Sequence, residues 1–178
     1  VDAVAEVEVE KPDGSKVVFS RGGNQLFTIN ADGTGEQLLE AGPNAQAPEW
    51  SPDGSKIVFE ANRNSNVDIF TINADGSGLT RVTTSPERDL LPEWSPDGET
   101  LAFVRSYRGR TDIWVTGPGG VTTRRLTKDA GAHTWPAWSP DGKRIAFVHA
   151  LNRRQGILVM NADGTAKKRV TGGGIAYA

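Results

Sequence analysis

The chain has no cysteine, only two histidines and a single methionine among its 178 residues. Without cysteine there is no disulfide, no thiol nucleophile and no thiolate metal ligand, and either redox compartment suits it. Two histidines, His133 and His149, are too few for most catalytic zinc centres. No apolar run is long enough to span a bilayer, and no basic-then-apolar start marks a retained signal peptide. A formal net charge of -2 gives no whole-molecule attraction to nucleic acid or acidic lipid. Neither a Gly-x-Ser-x-Gly elbow nor a Gly-Lys-Ser/Thr loop before a helix occurs, which leaves serine hydrolases and P-loop enzymes without support. With 37% hydrophobic and 24% charged residues, the chain reads as one globular domain over 1–178.

What the sequence does contain, it contains four times. Pro-Asp-Gly occurs at Pro12-Asp13-Gly14, Pro52-Asp53-Gly54, Pro96-Asp97-Gly98 and Pro140-Asp141-Gly142, with the prolines 40, 44 and 44 residues apart. Half a period later stand Asn30-Ala31-Asp32-Gly33, Asn73-Ala74-Asp75-Gly76 and Asn161-Ala162-Asp163-Gly164, with Thr116-Gly117-Pro118-Gly119 in the third copy. A period in the low forties, rich in turn residues, predicts repeated four-stranded units. In the second copy, Pro48-Glu49-Trp50-Ser51 is extended and Ser51-Pro52-Asp53-Gly54 turns. Residues 56–60 form a strand with Ile57 and Phe59 on one face, a polar loop runs from Asn62 to Asn66, and residues 68–72 form a third strand. Residues 73–76 turn back and residues 79–83 close the unit. The fold class is therefore all-β, a propeller of four antiparallel four-stranded blades of about 44 residues. The blades fall at about 4–41, 46–84, 90–128 and 134–172. Trp50, Trp94 and Trp138, each two residues before a turn proline, are expected in the core between blades.

Trp50 to Phe59, Trp94 to Phe103 and Trp138 to Phe147 carry a Trp-Ser-Pro-Asp-Gly-x-x-Ile/Leu-x-Phe core. This pattern resembles the TolB-type propeller repeat over nearly the whole chain. The resemblance implies an all-β propeller found in a periplasmic protein that works with a peptidoglycan-associated lipoprotein, and also as an accessory domain of peptidases. It implies a periplasmic or extracytoplasmic setting, without excluding the cytoplasm, and propellers of six or more blades. The first copy departs from the pattern, with Glu10 in the tryptophan position after the alternating run Glu6-Val7-Glu8-Val9-Glu10. Four blades admit a closed ring, a stretch of a longer propeller, or a homodimer in which a second chain completes an eight-blade ring with two-fold symmetry.

No catalytic set emerges, and the chain is read as a non-enzyme without metal or cofactor. Asn73-Ala74-Asp75-Gly76-Ser77-Gly78 begins like a calcium loop but has Thr84 where the closing glutamate belongs. A hairpin turn whose side chains bond their own backbone explains it better. His133 is expected in a surface loop and His149 just after the strand at 145–148; neither has a metal-spaced partner in the sequence. The tight turns should emerge on one side and the longer connections on the other. The second-to-third-strand connections carry Arg21, Arg63, Arg105, Arg108, Arg110, Arg153 and Arg154, with Asn66 and Tyr107 among them. Between blades lie residues 43–47, 85–91 and 129–135, the last bringing His133 and Trp135, a tryptophan outside the repeat. The candidate partner-binding set is thus Arg63, Asn66, Arg105, Tyr107, Arg108, Arg110, His133, Trp135, Arg153 and Arg154. Arginine beside exposed aromatics is the composition of a protein-binding hot spot. A mixed-charge solvated rim and a loop tryptophan tucked against the last blade are the plainer alternatives. The expected function is a protein- or peptide-binding scaffold, with nucleic acid disfavoured; the alternative is an accessory or gating propeller of a larger peptidase or other enzyme.

Overall fold

The computed structural model describes residues 8–22 and 24–171; Glu6 and Val7 of the alternating run, and the outermost residues assigned to the first and last blades, lie outside them. The chain divides into two compact units, Val1–Pro86 and Glu87–Ala178. Each unit holds two four-stranded antiparallel sheets, and no helix occurs among the described residues.

In the first unit, β1 (Glu8–Glu10), β2 (Lys16–Arg21), β3 (Gln25–Asn30) and β4 (Gln37–Leu38) pair in chain order. The second sheet is β5 (Ala45–Trp50), β6 (Lys56–Arg63), β7 (Asn66–Asn73) and β8 (Thr80–Arg81). The second unit repeats the plan with β9 (Arg88–Trp94), β10 (Leu101–Tyr107), β11 (Arg110–Thr116) and β12 (Thr123–Arg125). Its other sheet is β13 (Ala132–Trp138), β14 (Arg144–Leu151), β15 (Arg154–Asn161) and β16 (Lys168–Arg169). Each sheet is a propeller blade.

The repeated turns are self-bonding. Gly54 N–H donates to Ser51 O at 2.8 Å with Gly54 at φ 66°, the left-handed region open to glycine. Asp53 Oδ1 accepts from Ser51 Oγ (2.6 Å) and Ser55 N (3.0 Å). Those bonds, the Ser51 hydroxyl first, bring the Asp53 carboxyl down to about 2. Asp75 is likewise held by Ser77 N–H and Oγ–H at 2.9 and 2.7 Å, so its carboxylate serves its own turn.

The core of each unit lies between its sheets. In the first, Trp50, Ile57, Phe59, Phe70 and Ile72 close on Val18, Leu26 and Leu39. Trp50 Nε1 donates to Val9 O at 3.1 Å, tying the second sheet to the first strand of its neighbour. In the second unit Ile113 and Leu126 meet Ile145, Phe147, Leu158 and Met160, with Trp138 packed against the cluster. Each such large side chain contributes on the order of 2–3 kcal/mol. The last sheet differs from its siblings. Ile157 and Val170 are 43% and 61% exposed, whereas the counterparts Leu26 and Ile113, and Leu39 and Leu126, are at most 5% exposed.

Two expectations about connections are corrected. The second and third strands are joined by two-residue hairpins, Asn64-Ser65, Arg108-Gly109 and Asn152-Arg153, not by long loops. All six of these residues have positive φ, the geometry that matches strand twist. The segments expected between blades are largely first-strand residues. Their pairing continues past a bulge at Ala47-Pro48, Leu91-Pro92 and Trp135-Pro136, where one extra residue enters the first strand. Ala47, Leu91 and Trp135 sit at φ 47°, 52° and 54°.

Candidate functional site

The hairpin ends of the second and third sheets carry the same pocket 44 residues apart. In the third sheet a pocket of about 420 Å³ is lined by Glu87, Arg105, Tyr107, Arg108, Arg110, Asp112, Trp114 and Arg125. In the second, a pocket of about 580 Å³ is lined by Arg63, Asn64, Asn66, Phe70 and Arg81 among others. Each has an aromatic floor on the third strand, Trp114 or Phe70, and an arginine on the fourth strand bonded to a carboxylate. Arg125 Nη2 reaches Asp112 Oδ2, and Arg81 Nη2 reaches Asp68 Oδ2, both at 2.7 Å. The last sheet has Gly156 and Leu158 at the corresponding positions.

The arginines are not equivalent. Arg105 donates through Nε and Nη2 to the two oxygens of Asp89 at 2.7 and 2.8 Å. Asp89 is wholly buried, and the Arg105 guanidinium lies 4.5 Å from the Trp114 ring centre. Arg63 stacks 4.3 Å over Phe70 and donates to Ala41 O. Arg21 lies 4.6 Å over Phe27 and pairs with Glu36. These three plug their sheets, a role invisible to a count of loop cations. Asn66 Nδ2 donates to Ser85 O at 2.8 Å and Arg110 Nη2 to Asp129 O at 3.1 Å. Arg108 stands 5.0 Å over the Tyr107 ring, and Tyr107 is half exposed. Arg153 and Arg154 are exposed at the last hairpin. Trp135, at the bulge of the fourth sheet, is 65% exposed, whereas Leu91 at the same position of the third sheet packs against the core.

The histidines are not where spacing put them. His133 is in β13, fully buried, and His149 is in β14 directly across from it. Their rings stack at 5.0 Å, 9° from parallel. The bulge at Trp135-Pro136 sets this pairing, since without its extra residue His133 would face Ala150. His133 Nδ1 lies 3.3 Å from both Thr111 O and Asp112 Oδ1, and Nε2 lies 3.3 Å from Asp129 Oδ2. Burial works against ionisation of Asp129, but Lys167 on its other oxygen and a backbone N–H outweigh it and hold the carboxyl well below the ordinary range. Asp129, His133 and His149 place one donor atom each within 4.8 Å of one another. Extending the hairpin pairing past the bulge was the sequence signal for this cluster.

Repeated blades with turn-sealed ends and hairpin-edge pockets define a β-propeller repeat protein. Residues 86–178 match the model of the TolB beta propeller domain. The chain belongs to that family. The Tol-Pal system protein TolB of Anaeromyxobacter dehalogenans is 35% identical over 83 residues, 45% of this chain and 19% of that protein. Dipeptidyl-peptidase 5 of Porphyromonas endodontalis is 31% identical over 85 residues, 42% of this chain and 12% of that enzyme. This chain therefore corresponds to a minor part of the length of the curated relatives it matches. Among solved structures, a TolB-type protein of Agrobacterium tumefaciens superposes with a TM-score of 0.83 at 25% identity, over 95% of this chain and 67% of the other.

Proposed function

We propose that the chain is a non-catalytic scaffold that binds a protein or peptide at the hairpin-edge pocket of its third sheet. The observation that carries this reading is the pocket itself, where Tyr107, Arg108 and Arg110 ring an aromatic floor made rigid by the Asp89–Arg105 and Asp112–Arg125 pairs. A rigid base with an aromatic and cationic rim suits a peptide that offers a carboxylate and an apolar side chain. The matching pocket at Arg63 and Asn66 is proposed as a second contact of the same kind, and Trp135, Arg153 and Arg154 as outlying contacts. Kinship with TolB supports an extracytoplasmic setting. Peptides selected by display against the chain test the proposal. Binders that lose at least tenfold in affinity with Tyr107→Ala plus Arg108→Ala support it, and binders indifferent to that pair overturn it.

The match to dipeptidyl-peptidase 5 favours a second reading, an accessory propeller of a larger peptidase. A coding sequence that runs past Ala178 into a hydrolase domain would support it, and a stop codon there would remove it.

A further inference from the structure

We propose that Asp129, His133 and His149 form a binding site for a divalent transition-metal ion. The proposal goes beyond peptide binding and stands whether or not the pocket holds a peptide.

The hydrogen-bonding of His133 leads to it. Nδ1 faces two oxygens, Thr111 O and Asp112 Oδ1, each at 3.3 Å. Both are acceptors, so Nδ1 carries the ring proton. In the neutral ring Nε2 is then a lone pair, and what it meets at 3.3 Å is a carboxylate oxygen of Asp129. Two acceptors in line repel unless a positive charge stands between them. A second proton on the ring would supply one, and so would a metal ion. An imidazole whose far N–H is tied to a carbonyl or carboxylate has the outer-shell arrangement that orients metal-binding histidines.

The surroundings favour the metal. A second imidazole lies directly beside the first, and two adjacent imidazolium rings would repel each other, whereas two neutral ones can ligate together. The His149 ring is seated by Gly131, at φ 116°, where an added Cβ would stand 2.4 Å from Nε2. Lys167 engages Asp129 through Oδ1, which leaves Oδ2 toward His133. Ligands at about 2.0–2.2 Å from one tetrahedral ion stand roughly 3.3–3.5 Å apart. The Asp129–His133 pair is already at 3.3 Å. The donors lie within 4.8 Å of one another, and closing the set requires the half-buried His149 to give up its 3.0 Å contact from Nε2 to Ala130 O. Two imidazoles and one carboxylate select zinc, nickel or cobalt over calcium, magnesium or manganese, and leave coordination positions open. Arg110, on the rim of the pocket, bonds to Asp129 O, so an ion there would adjoin the pocket.

The experiment is calorimetric titration of zinc chloride into chelator-treated chain, with proton NMR of the two histidine rings. The expected result is one ion per chain, with both ring signals shifting together. His149→Asn and Asp129→Asn should each weaken binding at least tenfold while circular dichroism stays unchanged. His133→Asn is avoided as a sole test, because that side chain is buried and its loss threatens folding. Stoichiometric binding that survives both of these variants, or binding to the native chain no stronger than to a variant carrying His149→Asn and Asp129→Asn together, would overturn the site. The second result would leave the His133–Asp129 contact as a hydrogen bond within the chain.

Discussion

Arg105 grips the buried carboxylate of Asp89 through two hydrogen bonds, 2.7 and 2.8 Å long, while its guanidinium lies over Trp114. Replacing Arg105 by alanine leaves the buried Asp89 carboxyl without its two-fold hydrogen-bond partner. A loss of about 3–5 kcal/mol in urea-unfolding free energy is expected. Asp89→Asn with Arg105→Met, which removes both charges, should lose clearly less. A single variant no less stable than the double would show that the pair carries no such penalty.

Trp50 and Trp135 should behave oppositely. Trp50 is buried and donates to Val9 O. Trp50→Ala should cost about 3–5 kcal/mol, and Trp50→Phe should forfeit the hydrogen bond, about 1 kcal/mol. Trp135 is exposed at φ 54°, a conformation that asparagine tolerates better. Trp135→Asn should leave the melting temperature unchanged or slightly higher. A marked drop would mean that its indole is held by packing.

Acid should destabilise the chain through its turns. The carboxyls of Asp53, Asp97 and Asp141 lie below their ordinary value of 3.8, chiefly because serine hydroxyls bond the charged form. A depressed folded value stabilises above the unfolded value and is lost as pH falls through the folded one. Stability should therefore decline from about pH 4 and continue down through about pH 2, the value for Asp53. Asp53→Asn should flatten that decline in thermal melts taken at several pH values. An unchanged profile would assign the acid sensitivity elsewhere.

Exposed Ile157 and Val170 should promote association. Light scattering of the isolated chain is expected to show species above 19.1 kDa, including the proposed homodimer. Ile157→Lys with Val170→Lys should shift the population to monomer. A monomeric wild-type chain would end that expectation.

The blades were legible because each is specified locally. Pro-Asp-Gly and Asn-Ala-Asp-Gly dictate turns through φ and side-chain caps, and the alternation around Phe59, Phe103 and Phe147 dictates a buried face. The roles of the arginines were not legible, because Arg105 and Arg63 bond to Asp89 and Ala41, 16 and 22 residues away. Loop composition says nothing of such partners. His133 and His149 escaped for a narrower reason. The tryptophan–turn–phenylalanine core gives the register up to Trp138, but the extra residue at Trp135-Pro136 changes it before His133 is reached.

That inserted residue divides the first strand into two independently variable segments. Below the bulge, Trp50, Trp94 and Trp138 are kept in place by turns and core. Above it, the same register delivers Gln46, Leu90 or Thr134, and Ala45, Asp89 or His133, to the hairpin edge. Engineering can therefore graft an ion pair, an apolar contact or the proposed ligand set onto the second, third or fourth sheet by exchanging residues above the bulge, while the folding information below it stays untouched.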